Sequence, residues 1–153
     1  MKLAEALIER AAMQNRLAAL ASRINANIKV QEGTEPAENV TALVEEYTAV
    51  LARLQLYIAK INFTNCNEKL GDITIMEAIA KRDCLMKKIN LFRNIYKEAT
   101  ERERSFTRSE IKMLSTVKAG DYQTQIDSFS KEYRELDTQI QAANWNTDIE
   151  ISE

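Results

Sequence analysis

The chain has 153 residues, enough for one domain with a real core, and its 21 Lys and Arg against 23 Asp and Glu give a net charge of −2. That balance excludes a global attraction to nucleic acid or to an anionic membrane surface. The absence of His removes imidazole general bases, Ser-His-Asp triads, HExxH zinc sites and haem His ligands at once.

Only 3 Gly and 1 Pro are present, so long helices are favoured. The first is predicted over residues 2–28. Leu3, Leu7, Leu17, Ala21, Ile24 and Ile28 fall at heptad spacing, with Ala6, Met13 and Leu20 beside them, while Arg10 and Gln14 interrupt the stripe. Ala11, Ala12, Ala18 and Ala19 supply a small-residue surface that permits close packing of a second neighbour. The opening "MKLAEALIER" has no apolar region of signal-peptide type, and no uncharged run approaches the ~20 residues of a membrane span. A cytoplasmic location is therefore expected. Gly33 and Pro36 then turn the chain within "KVQEGTEPAEN".

The second helix is predicted over 39–63, with Asn39 as N-cap. Val40, Leu43, Tyr47, Val50, Leu54, Tyr57 and Ile61 form its stripe, and Val44, Leu51 and Ile58 add a second apolar row. So wide a stripe suits a bundle better than a two-stranded coil. "NFTNCN" is expected to end it. The third helix, 74–100, opens with a capping box of Thr74 and Glu77 and presents Leu85, Ile89, Phe92, Tyr96 and Ala99. The fourth, 119–143, carries Tyr122, Ile126, Phe129, Tyr133, Leu136, Ile140 and Ala143, and 144–153 is a tail without pattern. Helices of similar length joined by short turns predict an all-α fold: an elongated antiparallel four-helix bundle, coiled-coil-like, in a single domain of residues 1–153.

Charge is unevenly placed. Residues 30–52 hold Glu32, Glu35, Glu38, Glu45 and Glu46 and no Lys or Arg, whereas 81–112 is net basic and 121–153 net acidic. Pairing of helix with helix is the favoured use of these blocks. The basic and aromatic run "KRDCLMKKINLFRNIYK" reads first as Phe92 and Tyr96 facing a core with Lys87, Lys88 and Arg93 in solvent; nucleic-acid binding through these and Arg102 is the alternative. Cys66 and Cys84 stand in no metal or redox spacing and are expected to stay reduced. The apolar stripes show no inward Glu pairs, so no metal, cofactor or catalytic residue is expected.

One stretch departs from the helical pattern. "FTRSEIKMLSTV", residues 106–117, alternates as a short strand would, within a connection of 104–118 that is long for a bundle. A lone strand needs a second edge, which the tail segment "NTDIEI" or a second copy would provide. Arg108, Glu110, Ile111, Lys112 and Met113 are the candidate dimer surface, since their charges alternate in sign around residues that prefer burial. Trp145 joins them as a candidate partner anchor, although folding back to close the bundle end is the more ordinary role for it.

The segments "MKLAEALIERA", "NANIKVQEGTEPAE", "INFTN", "EAIAKRD", "FTRSEIKMLSTV" and "KEYRELDTQIQAANWNT" together resemble a family of small uncharacterised bacterial proteins, some labelled septicolysin. The resemblance covers essentially the whole chain. It implies an all-helical cytosolic protein and brings no enzymatic role or catalytic residue to carry over; the septicolysin label implies a pore-forming, membrane-active protein, for which the sequence offers no hydrophobic hairpin. The sequence points to a non-catalytic helical interaction or scaffold protein that self-associates, with a homodimer as the favoured state.

Overall fold

In the computed structural model, residues 1–101 and 114–151 are described. The first helix, α1, spans Leu3–Asn27. The Lys2 backbone N–H donates to the Glu5 carboxylate at 2.7 Å, which satisfies one donor at a terminus that would otherwise have orphans. At the other end the Asn27 side chain donates to the Arg23 carbonyl at 2.9 Å and accepts from the Glu38 N–H at 3.0 Å, tying the turn to the helix. Within the turn Gly33 adopts φ 82°, a left-handed conformation that a Cβ would strain.

Helix α2 spans Val40–Asn67, and the Asn39 side chain accepts from the Ala42 N–H as the sequence predicts. It continues through "NFTNCN" rather than ending near 63, because Thr64 is buried and its carbonyl takes the Glu68 N–H at 2.8 Å. Next comes an element the sequence reading missed. Strands β1 (Lys69–Leu70) and β2 (Ile73–Thr74) pair antiparallel, Lys69 opposite Thr74 and Leu70 opposite Ile73. The signal was there: Gly71–Asp72 sits between two apolar residues, and Gly71 has the positive φ of 65° that a two-residue hairpin turn requires. Helix α3, Ile75–Thr100, follows directly, with Glu77 in its first turn. Helix α4, Ala119–Asn146, extends past the expected end at 143 and takes Trp145 into its last turn. The fold class is all-α, as the periodicity indicated.

The chain divides into two compact units, Met1–Met76 with Gln141–Glu153, and Glu77–Ile140. In the first, α1 and α2 pack antiparallel: Arg16 reaches Glu46 and Arg23 reaches Glu38, so residue numbers rise on one helix as they fall on the other. Leu3, Ala6, Met13, Leu17 and Leu20 of α1 are buried, as are Leu43, Leu54, Tyr57 and Ile61 of α2. Leu3 and Ile61 are fully enclosed at 0% exposure, along with Ile75 at the start of α3. Leu7, Ala21 and Ile24 are half-buried, but Ile28 is exposed because it lies beyond the last helical residue. Arg10 keeps its Nε buried with no hydrogen-bond partner among the described residues, the penalty of a guanidinium placed in the stripe. Ala11, Ala12, Ala18 and Ala19 are all exposed.

The two ends of the chain meet in this unit. Lys2 and Asp148 form an antiparallel bridge, the Leu3 N–H donates to the Thr147 carbonyl and the Ile149 N–H donates to the Met1 carbonyl, both at 2.9 Å. Within "NTDIEI", expected as a possible edge for residues 106–117, Asp148 pairs with Lys2. Ile149 is buried here.

In the second unit Leu85 and Ile89 of α3 and Ile126, Leu136 and Ile140 of α4 are buried. Phe92 lies edge-on to Tyr122 and to Phe129, with ring centroids 5.3 and 5.5 Å apart. Edge-to-face geometry sets the positive rim of one ring against the negative face of another.

Leu54→Ala and Leu136→Ala should each lower stability by about 2–5 kcal/mol, since both side chains are enclosed and leave cavities. Asp148→Asn, which removes only an exposed ion pair, should leave the urea midpoint near that of the wild type. Equal effects of Leu54→Ala and Asp148→Asn would refute the stripe assignment.

Candidate interaction surface

Some members of the charge blocks pair inside each unit. In the first, the Arg23 guanidinium forks onto both carboxylate oxygens of Glu38, with Nε–Oε2 at 3.0 Å, and Arg16 places Nη2 and Nε at 2.7 and 3.1 Å from Glu46. In the second, Lys81 meets Glu132 at 3.1 Å, and Arg82 bridges Asp83 and Asp137. Lys88 sits over the Phe129 ring, its Nζ 3.9 Å from the centroid, so its charge is held by an aromatic face. Of the residues considered for nucleic acid, Lys87 and Arg93 are exposed, Lys88 is engaged in this way, and Arg102 lies outside the described residues.

Hydrogen bonding to Arg23 holds the Glu38 carboxyl below the ordinary carboxylate range, and Arg82 keeps its proton more firmly because of Asp83 first and Asp137 second. These are features of helix pairing. Among the described residues no group of three or more His, Cys, Asp or Glu could hold a metal ion, and no helix is long and apolar enough to cross a membrane. Cys66 and Cys84 are free, exposed thiols; Cys66 donates its S–H to the Met76 thioether at 3.5 Å.

The expected dimer residues Arg108, Glu110, Ile111, Lys112 and Met113 lie outside the described residues. Leu114 and Val117, at the end of the same stretch, are exposed and non-helical. Trp145 is 54% exposed on the last turn of α4.

A different surface emerges on α2. Val44, Leu51 and Ile58, read from sequence as a second core row, remain 45%, 46% and 36% exposed. Seven residues advance a helix by about 10.5 Å and return it to nearly the same azimuth. The three side chains therefore form one line about 21 Å long. On one side of the line lies the core row of Tyr47, Leu54 and Ile61; on the other lie Thr41, Thr48, Gln55 and Asn62, none of them charged. All four charges of the helix, Glu45, Glu46, Arg53 and Lys60, stand about 100° or more around from the nearest member of the line. A purely solvated helix face ordinarily carries charge. Sequence periodicity revealed this row but assigned it to the core, since spacing alone does not say how many neighbours a stripe has.

Glu38 gives a direct check on the pairing of α1 with α2. A carboxyl lowered in the folded state contributes stability above its unfolded pKa and loses it as pH falls through the folded one. By carboxyl-carbon NMR Glu38 should titrate below the ordinary carboxylate range, and Arg23→Gln should bring it back into that range. An unchanged titration in that variant would refute the pairing.

No curated protein matches the chain. A search of solved structures finds the crystal structure of a functionally unknown conserved protein from Corynebacterium diphtheriae, 36% identical, covering 98% of this chain and 99% of that one with a TM-score of 0.92. Neither this relative nor the family description below assigns a lytic activity, so the septicolysin label finds no support in them. Residues 10–149 match a family of unknown function, DUF6847, and the chain belongs to that family.

Proposed function

We propose that this protein is a non-catalytic helical interaction protein that works by self-association. The observation that carries the reading is the uncharged face of α2 with Val44, Leu51 and Ile58 in line at its centre. Single exposed apolar residues are common on any surface, whereas a periodic row on a charge-free face is the composition of an interface centre. Trp145, exposed at the end of α4, offers a further anchor for a partner.

Sedimentation velocity over a hundredfold range of concentration tests this reading. A sedimentation coefficient that rises with concentration toward a dimer is expected. A monomer throughout, combined with prompt dye release from liposomes, would replace the reading with a membrane-active one.

A further inference from the structure

We draw no further inference here: the strongest candidate, the exposed apolar row of Val44, Leu51 and Ile58 on α2, is the surface on which the proposed function already rests, and nothing in the structure shows what covers it.

Discussion

A helix with a single apolar stripe is stable only when that stripe is covered, and the antiparallel packing of α1 on α2 is the covering on which the first unit depends. The enclosed Leu3 and Ile61 set the register at one end, and the Arg16–Glu46 and Arg23–Glu38 pairs hold it along the flank. Burial carries most of the energy, since exposed ion pairs contribute little on their own. The pairs contribute orientation: a reversed or slipped α2 would set Glu38 and Glu46 away from the arginines of α1. The chain ends then add strand-like hydrogen bonds from Met1 and Leu3 to Thr147 and Ile149, beside the stripe already made.

That packing also determines what is left uncovered. The row of Val44, Leu51 and Ile58 is displaced from the core row on the side of α2 opposite to Glu46. Burial of one row therefore leaves the other in solvent. Closure of the helix face is incomplete within the described residues, and no charged residue of α2 lies on it, which supports the proposed use. This links the fold to its proposed use without a catalytic group.

The helices were legible because Gly and Pro are so scarce and because the 3,4 spacing persists through each of them. Asn39 as N-cap and the core positions Leu54, Leu85, Ile89, Ile126, Leu136 and Ile140 followed from the same pattern. Three features did not. The β1–β2 hairpin was hidden because its strands are two residues long, too short for alternation to show, although Gly71–Asp72 marked the turn. The pairing of the tail with residues 1–3 joins chain ends that no local pattern relates. The exposure of Val44, Leu51 and Ile58 was hidden because an amphipathic pattern reports which residues avoid water, and an intermolecular seam satisfies that requirement as well as a core does. The candidate site read from the sequence fell largely on residues 108–113, outside the described residues, while the site proposed from the structure sits in the middle of a helix.

The central claim is that the α2 row is covered by another copy in solution. Methyl NMR with a soluble paramagnetic agent measures this at the side chains themselves. The account predicts that the methyl groups of Val44, Leu51 and Ile58 become protected as protein concentration rises, while those of Ile8 stay accessible throughout. Accessibility of the Leu51 methyls that is high and independent of concentration would contradict it.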